Sequence, residues 1–239
     1  MGAAARARAR AGVCRLALLD VQAATRFELD GRGRILREGP PDLGPAPRLW
    51  LAGSAEGSVL RLRANVPDEV ADAAAALVAR EPLEGCVPEL AALLGGEPER
   101  GLSFVFRDVP PEPGGEVVLS GTPAGDELLA RGLPPAFAEL GFRDEDELWP
   151  PWCVALDGGE PAAIAFSARL SPAGVEAGVF TAPAARGQGL AAAATAGWAA
   201  SPALGDRVRF YSTTAGNVSS QRVAERLGLD LVGPAYEIR

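Results

Sequence analysis

The chain has no histidine and no lysine, so all 23 of its basic side chains are arginine. Without histidine, Ser-His-Asp triads and His-ligated metal centres are excluded, and no metal site is expected. The three cysteines, Cys14, Cys86 and Cys153, are far apart and form no C-x-x-C pair. That argues against a disulfide framework or a zinc site and fits a reducing cytoplasm. No apolar run approaches the ~20 residues needed to span a bilayer, so no membrane partner is expected. Acidic residues outnumber basic ones, giving a formal charge of −8, which disfavours binding to phosphate backbones and hence to nucleic acid. Chemistry must then rest on carboxylates, hydroxyls, thiols, backbone dipoles or a bound cofactor.

What is present is enough apolar material, 48% of 239 residues, for one large domain or two small ones. The arginine-studded start up to Ala24 reads as a flexible extension, with a targeting peptide as the alternative. Three regions are expected: residues 1–25, an extension with the first strand; 26–115, an α+β region that could be a decayed copy of the second half; and 116–239, the chemistry-bearing domain. "DGRG" at Asp30–Gly33 marks a hairpin turn, and "DGGE" at Asp157–Glu160 marks a second. "VPDEVADAAAALVARE" and "VPELAALLGG" read as helices, and Thr122 can cap another. A helical segment broken by Gly141 is expected near Phe137–Leu148, and a final strand pair near "LDLVGPAYEIR". The Pro/Gly-rich "VPPEPGGE" at Val109–Glu116 is the linker candidate. Mixed strands and helices in this order predict an α/β (α+β) fold, a sheet flanked by helices.

The densest signal is "TAPAARGQGLAAAATAGWA" at Thr181–Ala199. A strand over Val175–Thr181 passes through a glycine-containing loop into an alanine-rich helix. At such a junction the first helical N–H groups lack partners and the positive end of the helix dipole is exposed. Gly187 and Gly189 carry no Cβ, so an anion can approach the backbone, which suits a pyrophosphate. The bland alternative is a tight turn. A Walker motif is absent, and Asp206 precedes the next strand, where a dinucleotide fingerprint wants an acid that ends it.

"VFTAPAARGQGLA" followed by "NVSSQRVAERLGL" resembles the GNAT superfamily of acyl-CoA-dependent N-acetyltransferases. The resemblance covers roughly Val117–Arg239, and similar bacterial proteins of this length also carry an extra N-terminal half. It implies a mixed, mostly antiparallel GNAT-like sheet with an additional N-terminal α+β region. It also implies that the cofactor is acetyl-CoA and the acceptor a primary amine, of a small molecule or a peptide N-terminus. Main-chain N–H groups of Arg186, Gly187, Gln188, Gly189, Leu190 and Ala191 would hold the pyrophosphate, and strand residues Val179, Phe180 and Thr181 the pantetheine arm. Asn217 would touch the cofactor or cap its helix.

For the base, the resemblance points to Glu176, with an exposed structural carboxylate as the alternative. For the acid, Ser219 or Ser220 acting through water and Tyr211 are the candidates. The sequence departs from the family pattern at Ala184, at Leu229, and at Ala224, where many members carry a tyrosine acid. A catalytically degenerate acyl-CoA-binding module is therefore the rival reading. Whether the chain forms a homodimer is left open.

Overall fold

A computed structural model of the chain describes residues 14–107, 114–132, 135–138, 142 and 147–239. Its first described element departs from expectation. Leu19, Gln22, Ala23 and Thr25 are buried at helical spacing, and Arg15–Arg26 forms helix α1, so this stretch is not an extension carrying a strand. The hairpin β1 (Phe27–Leu29) and β2 (Ile35–Glu38) follows, then β3 (Leu49–Ser54), β4 (Gly57–Leu62), α2 (Asp68–Arg80), α3 (Leu83–Leu94) and β5 (Pro98–Val105).

The second half contains β6 (Val117–Leu119), α4 (Pro123–Ala130), α5 (Pro135–Ala138), β7 (Trp152–Asp157), β8 (Glu160–Leu170), β9 (Gly174–Thr181), α6 (Leu190–Ala200), β10 (Val208–Thr214), α7 (Val218–Arg226) and β11 (Asp230–Ile238). Thr122 caps α4 by accepting from Gly125 N at 3.1 Å, an interaction worth about 1 kcal/mol. Of the helix expected near Phe137–Leu148, Pro135–Ala138 is helical; Gly141 lies outside the described residues, as does most of the linker candidate.

Nine strands form one sheet in the order β4-β3-β11-β5-β10-β9-β8-β7-β6. Only β9 and β10 run parallel; every other neighbouring pair is antiparallel. The chain halves interleave: β11 lies between β3 and β5, and β5 between β11 and β10. The strand pair expected at the end is one strand, β11. Gly233 makes no turn there. The register slips between Leu231 and Gly233, and a Cβ at Gly233 would overlap the Gly53 carbonyl oxygen. Close approach of the β3 backbone requires glycine at this position.

Alternation sorts the sheet's side chains to two faces. On one, Phe104, Val175, Ala177 and Tyr211 pack with Trp198 of α6 and Ala224 of α7. On the other, Trp50, Val105 and Phe210 pack with Leu19 and Ala23 of α1. α6 has Ala192 through Ala199 buried, because small residues let it settle against β7 and β8; a Cβ at Gly197 would collide with Cys153 Sγ. Trp198 is fully buried beside Phe106, with ring centroids 6.0 Å apart. Trp149 and Trp152 belong to a separate aromatic cluster with Phe142 and Phe166, where they serve packing.

Candidate active site

The parallel pair β9/β10 sets the site's geometry. The two strands pair from Gly174↔Val208 to Ala177↔Tyr211 and then part. β9 continues from Gly178 to Thr181 bonded only to β8, and β10 continues from Ser212 to Thr214 bonded only to β5. The strand edges facing each other across this split carry main-chain donors and acceptors without a ladder partner, the form of edge that an extended group can pair with. Val179 and Thr181 on β9 fall within it. Phe180 stacks on Phe166 at 5.9 Å and lies edge-on to Phe142 at 5.4 Å, so it forms an aromatic wall beside the split.

At the end of β9 a single 3-10 turn, Pro183–Ala185, leads into the glycine loop. Arg186 N–H closes that turn onto the Pro183 carbonyl at 3.4 Å, so the donors turned outward begin at Gly187. Gly187 and Gly189 both hold left-handed backbone, with φ of +83° and +88°. A Cβ at Gly187 would meet nothing within 4 Å, so the loop is open to an approaching anion there. Gly189 is the N-cap of α6 and accepts from Ala193 N at 3.1 Å, leaving the N–H groups of Leu190 and Ala191 in the partnerless first turn. Gln188 sits between the two glycines.

A residue that sequence reasoning missed completes the loop. A Cβ at Gly189 would run into Nη1 of Arg226, which reaches over the loop from the last turn of α7. Its side chain brings a cation to the cradle from 37 positions away in sequence. No local pattern signals this; only the packing of α7 beside α6 does. Asn217 Oδ1 accepts from Ser220 N at 3.0 Å, which is the cap of α7, so its side chain is already engaged.

The candidate proton-transfer groups lie on opposite faces of the split. Glu176 is 6% exposed, not an exposed edge carboxylate. Its Oε1 accepts from Ser212 Oγ at 2.7 Å and its Oε2 from Gln22 Nε2 at 3.0 Å, while Arg26 Nε stands 4.0 Å from Oε1. A buried carboxylate needs such partners to remain charged. Gln22 and Arg26 lie one turn apart on α1, and they too were missed, because an apparent extension gave no reason to place them here. On the other face, Tyr211 Oη is 2.6 Å from Ser220 Oγ. Burial pushes the Tyr211 phenol up, against the opposing pull of its Ser220 hydrogen bond, and so keeps it protonated at neutral pH. Ala224, where a tyrosine was looked for, is fully buried near this pair.

Beside Glu176, on its own face, is a polar trough of about 210 Å³ lined by Arg26, Glu99, Ser103, Ser212, Glu237 and Arg239 among others. Among the described residues no group of three or more acidic or thiol side chains is placed to hold a metal ion, and no helix is long and apolar enough to cross a membrane.

Comparison with known proteins bears on the same part of the chain. Residues 123–229 match the model of the acetyltransferase (GNAT) family, a span that runs from α4 through the β9/β10 pair to the end of α7. No curated protein matches the chain. Similar solved structures include a GNAT-family acetyltransferase from Novosphingobium aromaticivorans (24% identity, TM-score 0.42, covering 59% of this chain and 64% of that one). They also include a GCN5-related N-acetyltransferase from Kribbella flavida (25%, 0.43, 64% and 64%) and a GNAT-family acetyltransferase from Colwellia psychrerythraea (14%, 0.47, 94% and 96%). The chain thus spans just under two thirds of the first two. Over residues 123–229, with its split parallel strands and glycine loop, the chain carries an acetyltransferase domain of the GNAT family.

Proposed function

We propose that the protein transfers the acetyl group of acetyl-CoA to a primary amine, of a small molecule or a peptide N-terminus, by direct attack on the thioester. The observation that carries this reading is the β9/β10 split, which has Glu176 on one face, the Tyr211–Ser220 pair on the other, and the glycine loop at its end. The residues fit the cofactor. Gly187 leaves open space, the first-turn N–H groups are free to meet phosphate, Arg226 adds a cation, and the unpaired edge of β9 suits an amide-bearing arm.

When bound, acetyl-CoA supplies the activated carbonyl and a thiolate leaving group. The chain's own residues handle the protons. Glu176 takes the proton of the incoming ammonium at Oε1 or Oε2, held in place by Ser212 and Gln22. Tyr211 Oη, backed by Ser220, donates towards the leaving sulfur from the opposite face. The phenol thus takes the place of the tyrosine missing at 224. Three free cysteines fit a reducing compartment, and we place the protein in the cytoplasm.

The test is acetyl transfer from acetyl-CoA to a panel of primary amines, followed by thiol release, with calorimetry for cofactor affinity. Glu176→Gln should lower kcat/KM about 100-fold while acetyl-CoA affinity is retained. Tight acetyl-CoA binding with no turnover of any amine would instead favour a degenerate binding module.

A further inference from the structure

We infer that the acceptor is an arylalkylamine, seated with its ammonium at Glu176 and its ring against Phe180. This rests on the acetyl-transfer reading above and names the substrate class for that site.

Val175 and Ala177 of β9 pack with α6, so strand alternation turns Glu176, Gly178 and Phe180 to the other face, where Gln22 of α1 meets Glu176. α6, whose start is the proposed phosphate seat, covers the first face, which leaves the second to the acceptor. Phe180 is 39% exposed, and among the described residues it is the one aromatic side chain left exposed. An aromatic ring gains most of its stabilisation from burial, so an open one on the strand that carries the base is a surface for a ligand to cover.

The neighbours of the ring decide where its open surface points. From β8, Phe166 stacks on it with planes 9° apart, and Phe142 stands edge-on to both rings. Phe166 can lie there because Gly178 has no Cβ; one at that position would overlap the tip of the Phe166 ring. On the other side of Phe180, β10 has already parted from β9, since their pairing ends at Ala177↔Tyr211. The open surface of Phe180 therefore borders the split, the gap that receives the thioester in the reading above.

Glu176 and Phe180 are four residues apart on one strand and one face, so their side chains stand about 13 Å apart. An ammonium about 3 Å from the carboxylate and a ring about 5 Å from Phe180 leave roughly 5 Å between the nitrogen and the ring centre, a distance that two methylene groups span. Between the two residues the floor is Gly178 with the Phe166 ring tip over it, while Val179 packs towards α6. Among the described residues the side chains clustered with Phe166, including Phe142, Trp149 and Ala168, are aromatic or aliphatic, so a second charge on the acceptor would be unmatched at this end.

The experiment compares 2-phenylethylamine with 1-aminobutane as acceptors, using the full chain and acetyl-CoA. The ring-bearing amine should exceed the other about tenfold in kcat/KM, and Phe180→Ala should bring that ratio close to one. Phe180→Leu, which keeps an apolar side chain without the ring, should lower the ratio about threefold, and it decides the matter if the alanine variant does not fold. Because the ratio compares two acceptors with one cofactor, any effect of either variant on acetyl-CoA cancels. A ratio near one in the unaltered protein, or a ratio that neither variant lowers, would overturn the arylalkylamine assignment while leaving acetyl transfer standing. If no amine is acetylated, calorimetric titration of the two amines still decides the wall. Selective binding of 2-phenylethylamine that weakens in the Phe180 variants supports it, and equal or absent binding overturns it.

Discussion

The glycine loop is one continuous stretch, Ala184–Ala191, whereas the trough beside Glu176 gathers side chains from α1, β5, β10 and β11, from Arg26 to Arg239. In the proposed function the loop works through main-chain groups. Its essential features are two left-handed glycines and a helix start, and these depend on the identity of neighbouring residues in sequence. The trough works through side chains whose adjacency exists only because β11 and β5 lie next to β10 in the sheet. A site of the first kind should be fragile to a single backbone-blocking change. A site of the second kind should lose function in smaller steps, because its partners share the work.

The harshest break of that comparison is Gly187→Glu. The new side chain has room, but it places a negative charge in the phosphate seat and strains a backbone at φ +83°. Like-charge contact costs several kcal/mol, so acetyl-CoA affinity should fall at least ~100-fold by calorimetry, with circular dichroism showing a retained fold. Unchanged affinity in the folded variant would remove the loop from the cofactor site. Next comes Arg226→Ala. The guanidinium contributes one charge among several main-chain donors, so affinity should drop about tenfold and become less sensitive to salt. A variant with native affinity and native salt dependence would show that Arg226 only packs over Gly189.

The smallest effect is expected in the trough. Gln22→Ala removes one of the two hydrogen-bond donors of Glu176 while Ser212 and Arg26 remain. Steady-state kinetics should show kcat/KM lowered about three- to tenfold, and acetyl-CoA affinity should not move. If cofactor affinity fell with it, α1 would belong to the cofactor side of the split and the division between the two regions would fail.

The same contrast explains what could be read from sequence. The strand–loop–helix unit at 174–200 was legible because the strand pattern, the glycines and the alanine-rich helix are all set by neighbouring residues. Glu176 could be named from its strand and the family resemblance, yet its burial could not, because that depends on α1, a segment that looked like an extension. The α1 residues Leu19 and Ala23 carry the helical spacing, but the alternating arginines before them masked it. Gly233-Pro234 imitated a turn; the glycine is there for contact with Gly53, a partner some 180 positions earlier. Arg226, Ser103 and Glu99 had no sequence signal, since sheet order and helix pairing bring them into place.

The interleaving of β11 between β3 and β5 bears on how the molecule is made. On the ribosome, residues 49–105 emerge early, yet the gap between β3 and β5 cannot be filled until residues 230–238 have left the exit tunnel. Throughout that interval two strand edges, one carrying Leu49, Trp50 and Leu51 and the other Leu102, Phe104 and Val105, stay unpaired, the condition under which nascent chains recruit chaperones or pair with one another. Synthesis speed over the second half therefore sets how long the first half remains exposed.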